Sequence, residues 1–350
     1  MTPARIAAVT VVVLIMLAAV FMPPGFNAGA PLMERERLLM GTIVRIKAPV
    51  GRIDGGKERV GFAIGKALDE IARIEGVFSV HKPDSEISRI NRLRKGEVLK
   101  ISDEVFGLIE KSVEYSARTK GAFDITVKPL ADLWREAGAA GRLPLEAEVD
   151  AARAKVGYRY IALDKSAGTV SFARDGMSLD MGGVGKGYAS DAAAKILREN
   201  GVADAIINPG GDVYCMGRRS TKSPWNVGIK NPRDKNELFL EIALKDMAID
   251  TAGDYEKYFL LDGKRYSHII DPRTGYPAGD DVISASVIAP DAVTADILAT
   301  ALCVLGRDGL KIVRAEGLDA VIVFGEGGAF GTEMTEGFKK RYDVKAEAGI

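Results

Sequence analysis

The sequence predicts an α+β fold, with mixed, mostly antiparallel sheets and flanking helices, preceded by an N-terminal apolar signal or anchor helix. Three observations predict it. Strand-like runs lie close together and are joined by short turns, which favours antiparallel pairing. Helical periodicity comes in blocks segregated from the strands, which disfavours a doubly wound parallel sheet. The N-terminus carries a long apolar run.

That run comes first along the chain. Arg5 precedes Ile6 to Met22, where Thr10 is the only polar residue, and Pro23, Pro24 and Gly25 end any helix. No charge appears again until Glu34. A basic start, an apolar core and a small-residue tail form a secretion signal, and the length also reaches the lower limit of a membrane span. Ala28-Gly29-Ala30 is the candidate cleavage site, although Pro31 makes it a poor one. Residues 1–33 are therefore expected to be a signal peptide or membrane anchor. Residues 34–350 are expected to form one domain, periplasmic or on the outer face of the cytoplasmic membrane. The run lacks cysteine, which excludes a lipid attached through one.

Helical spacing joins Val60, Ile64, Leu68, Ile71 and Ile74. A second helix starts at Ser102, with Asp103 and Glu104 in its first turn and Gly121 past its end. A third spans Gly185 to Asn200 before Gly201, and a fourth spans Ala292 to Leu305 before Gly306, with Asp291 as its cap. Strands are expected at Ile43–Ile46, Ala205–Ile207, Val213–Met216, Trp225–Ile229, Leu238–Leu244, Tyr258–Leu261, Tyr266–Ile270, Val282–Ile288 and Ala320–Phe324.

Composition narrows the function. Of 350 residues 47% are hydrophobic and 27% charged, so most of the chain is globular. Lys+Arg and Asp+Glu are each 48, which argues against a nucleic-acid partner, whose binding rests on a basic surplus. Cys215 and Cys303 stand in no C-x-x-C pair and near no histidine, so a zinc site is not expected and buried free thiols are. The histidines are His81 and His268, too few for a histidine-rich metal centre.

The strongest local signal is Asp180-Met181-Gly182-Gly183-Val184-Gly185-Lys186-Gly187-Tyr188. Its glycines allow close approach of a ligand, and the helix that follows turns its free N–H groups toward an anion. Lys186 adds a cation and Asp180 an acceptor. The run lacks the Ser/Thr of a P-loop and the βαβ setting of a dinucleotide fingerprint. Asn208-Pro209-Gly210-Gly211-Asp212 is either a second approach to the same ligand or a tight turn between strands. Asp296 and Thr300 lie one helical turn apart, which suits Mg²⁺ but is also a common surface pattern. His268 sits before a Pro-containing turn, as a general base or as a histidine bonded within the turn. Gly121-Ala122-Phe123-Asp124 is a helix stop whose Phe123 could pack on a flat ring and whose Asp124 could accept a hydrogen bond.

The order of these blocks resembles the ApbE family of FAD:protein FMN transferases. The resemblance runs from Met40-Gly41-Thr42 to about Phe338, through Asp84 to Asn91, Gly121 to Asp124, Asp180 to Tyr188, Asn208 to Asp212, Ser267 to Pro272, and Thr294-Ala295-Asp296 with Thr300. It implies Mg²⁺-dependent transfer of FMN from FAD to a Thr or Ser hydroxyl of an acceptor protein, with release of AMP. It implies FAD contacts from Met40, Ala122, Phe123, Asp124, Asp180, Lys186 and Ile270. It implies Mg²⁺ held by Asp296, Thr300 and the Gly183 carbonyl, with His268 as the base. His81 stands where relatives often carry an aromatic residue, so a flavin contact and a surface place both stay open. The implied acceptor carries Asp-x-x-Thr/Ser-Gly-Ala/Ser-Ser/Thr and belongs to a membrane redox complex. This chain has only Asp271-Pro272-Arg273-Thr274-Gly275 followed by Tyr276, so self-modification is not expected. Two alternatives remain: a Mg²⁺-dependent FAD pyrophosphatase giving FMN and AMP, and a non-catalytic FAD-binding protein.

Overall fold

The structure, a computed structural model, describes residues 31–232, 237–279, 281–326 and 329–342. Most of the expected signal or anchor segment lies outside the described residues. Among those residues no helix is long and apolar enough to cross a membrane.

The strands are β1 (Leu32–Leu39), β2 (Thr42–Pro49), β3 (Val98–Lys100), β4 (Ile161–Asp164), β5 (Thr169–Phe172), β6 (Ala205–Pro209), β7 (Val213–Met216), β8 (Trp225–Lys230), β9 (Leu238–Leu244), β10 (Met247–Gly253), β11 (Tyr258–Leu261), β12 (Lys264–Ser267), β13 (Val282–Ala289), β14 (Asp319–Glu326) and β15 (Ala329–Met334). The helices are α1 (Gly56–Phe78), α2 (Glu86–Ile90), α3 (Asp103–Arg118), α4 (Lys128–Ala139), α5 (Glu146–Arg153), α6 (Gly185–Glu199), α7 (Ala292–Leu305), α8 (Leu310–Ala315) and α9 (Glu336–Arg341).

An eight-stranded sheet in the order β1-β2-β6-β7-β10-β13-β14-β15 is the frame, and each neighbouring pair in it is antiparallel. A three-stranded sheet β3-β5-β4 and the hairpins β8-β9 and β11-β12 lie beside it. The expected α+β class and its antiparallel character are present. The main core joins sheet residues Val44, Ile46, Ile207 and Val287 to α1, α6 and α7.

Each predicted helix forms for the reason its sequence shows. α1 buries Val60, Ile64, Leu68, Ile71 and Ile74, the stripe its spacing defines. α3 is capped by Ser102, whose side chain accepts the Val105 N–H at 3.3 Å. α7 is capped by Asp291, which accepts the Thr294 N–H at 2.9 Å. The expected strand Tyr266–Ile270 stops at Ser267, because the chain turns there. The His268 N–H donates to the Lys257 carbonyl at 3.1 Å, and the Ile269 N–H turns back to Ser267 Oγ at 3.1 Å. Both cysteines are buried free thiols, and burial pushes the Cys303 thiol up to about 12.

Candidate active site

The glycine-rich run is a tight passage from the loop after β5 into α6. The Asp180 N–H donates to the Ile125 carbonyl at 2.7 Å, and Asp180 Oδ1 accepts the Gly182 N–H at 2.6 Å. The Gly185 N–H closes onto the Met181 carbonyl at 2.7 Å, and α6 starts. Two glycines are dictated by the neighbouring helix. A Cβ on Gly183 would sit 2.9 Å from Thr300 Oγ1 and 3.3 Å from Phe123 Cε2. A Cβ on Gly187 would overlap the Ala292 carbonyl, a backbone group that cannot swing away. Sequence reasoning assigned these glycines to ligand approach. At Gly187 the reason is close packing of α6 against α7.

That packing buries a cluster of charge. The Gly187 N–H donates to Asp296 Oδ2 at 3.0 Å. Ligand atoms of Asp296, Asp212 and Asp250 all lie within 4.8 Å of one another. These residues are 2%, 4% and 3% exposed, so the cluster is shut away from bulk water. Lys186 Nζ forms an ion pair with Asp212 Oδ2. Burial alone would lower the Lys186 pKa, but the carboxylates of Asp212, Asp250 and Asp296 outweigh it and raise the ammonium above its usual range. Burial raises the Asp296 carboxyl; the Lys186 charge opposes this and the Asp212 charge adds to it. Asp250 is raised by burial first, then by the charges of Asp212 and Asp296. Its Oδ1 has no hydrogen-bond partner among the described residues. If all three carboxyls ionise, one ammonium leaves two negative charges uncompensated in a buried place. Oxygen donors with this charge deficit suit a hard divalent cation such as Mg²⁺.

Two turns close around the start of α6. The Asn208 to Asp212 stretch ends β6 and makes the tight turn into β7, with Gly210 and Gly211 at φ 77° and 120°. It carries Asp212 to Lys186. The β1–β2 turn consists of Met40 and Gly41, both at positive φ (52° and 71°). Positive φ in a methionine is a rare conformation that costs about 1 kcal/mol or more, and such residues gather at functional sites. Met40 Cε lies 3.6 Å from where a Gly185 Cβ would be.

His268 follows β12 and keeps an open face to solvent. Its Nδ1 lies 2.9 Å from the Lys257 carbonyl oxygen. A carbonyl can only accept, so Nδ1 carries the proton and Nε2 holds the free lone pair. Desolvation of the ring lowers its pKa below the usual imidazole range. The bond to the Lys257 carbonyl opposes that shift, and the Lys257 and Lys186 charges add to it. The Asp180 charge opposes it weakly. The imidazole is thus neutral at pH 7 and presents a basic nitrogen.

The structure brings Phe123, Gly183 and Thr300 together, and sets Lys186 with Asp296. Other expected contacts face the protein itself. Asp124 is buried and accepts from the Thr126 N–H at 2.8 Å, Thr126 Oγ1 at 2.7 Å and the Tyr158 N–H at 2.7 Å. Ala122 is buried, and Ile270 belongs to a small core with Leu130 and Trp134. His81 is exposed, and its N–H donates to Ser79 Oγ at 3.2 Å. Asp250 was missed by sequence reasoning. Its signal is a carboxylate between Ile249 and Thr251, inside a strand whose preceding residues Ala248 and Ile249 are buried.

The chain is similar to known proteins along most of its length. The ApbE family pattern matches residues 40–322. The FAD:protein FMN transferase of Salmonella typhimurium is 34% identical over 310 residues, covering 87% of each chain. That of Escherichia coli K12 is 34% identical over 269 residues, covering 75% of this chain and 77% of the relative. The ApbE protein of Thermotoga maritima superposes with a TM-score of 0.78 at 36% identity, covering 89% of this chain and 99% of its own. The flavinyl transferase ApbE of Pseudomonas stutzeri, in its apo form, gives a TM-score of 0.77 at 29% identity, covering 92% and 99%.

Proposed function

Because the chain belongs to the ApbE family, we propose that it is an enzyme that transfers FMN from FAD to a Thr or Ser hydroxyl of an acceptor protein, with release of AMP. The observation that carries the finer reading is the buried charge cluster at the start of α6. Lys186, Asp212, Asp250 and Asp296 meet there, Thr300 Oγ1 lies against Gly183 at the start of the same run, and a divalent cation would complete the charge balance.

In this reading Met40, Phe123, Asp180 and Lys186 hold FAD, with Lys186 directed at its pyrophosphate. Ala122, Asp124 and Ile270 act through backbone groups or by shaping the loops around FAD, since their side chains are buried. Asp296, Thr300 and the Gly183 carbonyl would hold Mg²⁺. When bound, Mg²⁺ supplies charge stabilisation for the pyrophosphate oxygens as the leaving phosphate becomes more negative. His268 Nε2 takes the proton of the acceptor hydroxyl, a weak nucleophile without such help. The hydroxyl oxygen forms a bond to the phosphorus on the FMN side. The bond from that phosphorus to the bridging oxygen breaks, and AMP departs with the electron pair. The acceptor motif Asp-x-x-Thr/Ser-Gly-Ala/Ser-Ser/Thr, the placing of the acceptor in a membrane redox complex, and the role of residues 1–33 as a signal or anchor that sets the domain outside the cytoplasmic membrane belong to the same proposal.

Incubation of the protein with FAD, Mg²⁺ and a peptide carrying that motif should add the mass of an FMN phosphoester to the peptide and release AMP in equal amount. FMN and AMP without a peptide adduct would support the pyrophosphatase reading, and intact FAD would support a binding protein.

A further inference from the structure

We propose that Asp191 is the positioning residue that fixes Asp296 and Thr300 against the glycine run. The proposal rests on the cation site of the preceding section. Matched positions on the run with α6 and on α7 step by one turn in opposite directions. Gly183 faces Thr300, Gly187 faces Asp296, and Asp191 faces Ala292. The two helices therefore lie antiparallel, and the expected cation ligands sit on the first two rungs.

Those rungs resist sliding weakly. Gly183 lacks a side chain toward Thr300, and Gly187 lacks one toward the Ala292 and Val293 backbone, so they set how closely the helices approach and not their register. The Gly187 N–H to Asp296 bond is the one polar tie described on them. The third rung is polar on both arms. The Ala292 N–H donates to Asp191 Oδ1 at 2.9 Å and the Val293 N–H donates to Asp191 Oδ2 at 3.1 Å. Asp291, the ordinary cap, takes the next N–H, that of Thr294. Asp291 is itself held by Lys111 Nζ at 2.8 Å. The second carboxylate comes from a different helix, and its two oxygens hold two separate donors. A slip of one residue along α7 would shift Asp296 and Thr300 by about 1.5 Å and break both bonds. A displacement of that size removes a ligand from a cation's coordination sphere.

The local electrostatics fit a residue kept for geometry. Burial pushes Asp191 up to about 6; the Ala292 and Val293 N–H groups and Lys111 oppose the shift, and Asp291 adds to it. A carboxyl with a raised folded pKa contributes stability below its unfolded value near 3.9, and that contribution is lost as pH rises through about 6. At neutral pH the ionised group therefore weakens the fold while it holds the N-terminus of α7.

The test uses Asp191→Asn and Asp191→Ala in the full chain. Asparagine keeps one acceptor but turns an NH₂ toward the second N–H donor. Both variants should raise the half-saturating Mg²⁺ concentration roughly tenfold or more, the size seen when groups that orient metal ligands are removed. Free-ion EPR of Mn²⁺ titrated into FAD-saturated protein without acceptor should show the same loss of affinity. FAD binding without metal should stay within about twofold, excess Mg²⁺ should restore turnover, and D191N should melt no lower than wild type. An unchanged metal requirement overturns the proposal. So does activity that falls in step with a lowered melting temperature, or failure of both variants to fold. Asp296→Ala separates the two levels: if it keeps its Mg²⁺ response, the cation site itself is wrong. If it loses that response while D191N behaves as wild type, only the role of Asp191 falls.

Discussion

Asp296→Ala should lower flavin transfer by about 10³-fold or more and leave the residue of activity indifferent to Mg²⁺. The size follows from what the carboxylate does. It is buried, it shares its surroundings with Asp212 and Asp250, and among the described residues its one hydrogen bond comes from the Gly187 N–H. Such a group is a poor structural element but a strong cation ligand. Its pKa is raised by burial in the metal-free protein. Cation binding needs the ionised form, so binding must expel a proton. Half-saturating Mg²⁺ should therefore fall as pH rises through neutrality in the wild type, and D296A should show no such trend. The stability sign follows. The folded carboxyl holds its proton more tightly than an unfolded one near 3.9, so its contribution is present below that value and is lost as pH rises through the folded value. Melting curves across pH should show metal-free protein weakening toward neutrality and Mg²⁺ reversing the loss. Full Mg²⁺-dependent turnover in D296A would remove Asp296 from the metal site.

His268→Ala should reduce the turnover number by about 10²- to 10⁴-fold while FAD binding stays close to wild type. The Nδ1 proton is committed to the Lys257 carbonyl, which leaves Nε2 as the free acceptor. Desolvation, helped by nearby lysine charges, holds the imidazole pKa below its ordinary value near 6.5. Wild-type turnover should be flat through neutral pH and decline only as pH falls below that lowered value, where Nε2 becomes protonated. The alanine variant should lose this acid limb. An unchanged turnover number, or an acid limb kept in H268A, would take the base role from His268.

The scaffold of this site could be read in the sequence because each part has a local cause. The α1 stripe, the Ser102 and Asp291 caps and the Gly201 and Gly306 stops act within a few residues, so they appear as patterns. The charge cluster could not be read that way. Lys186, Asp212, Asp250 and Asp296 come from α6, the β6–β7 turn, β10 and α7, and only the packing of helix on sheet brings them together. Asp250 looks like an ordinary strand charge until its burial is known. The glycine run shows the reverse case. Its composition was visible, but at Gly187 the cause is the backbone of a helix more than a hundred positions downstream. Asp124 shows a third case: an acceptor expected to face a ligand is saturated by three donors within its own loop region.

The proposed cation ligands lie where the glycine run meets α7. Anomalous diffraction from crystals grown with FAD and Mn²⁺ in place of Mg²⁺ tests them directly. A peak at coordination distance, about 2.1 Å for Mg²⁺ and slightly longer for Mn²⁺, from the Asp296 carboxylate, Thr300 Oγ1 and the Gly183 carbonyl, with a pyrophosphate oxygen of FAD also in reach, is the predicted result. A peak held by other residues, with Asp296 and Thr300 both out of reach, would contradict it.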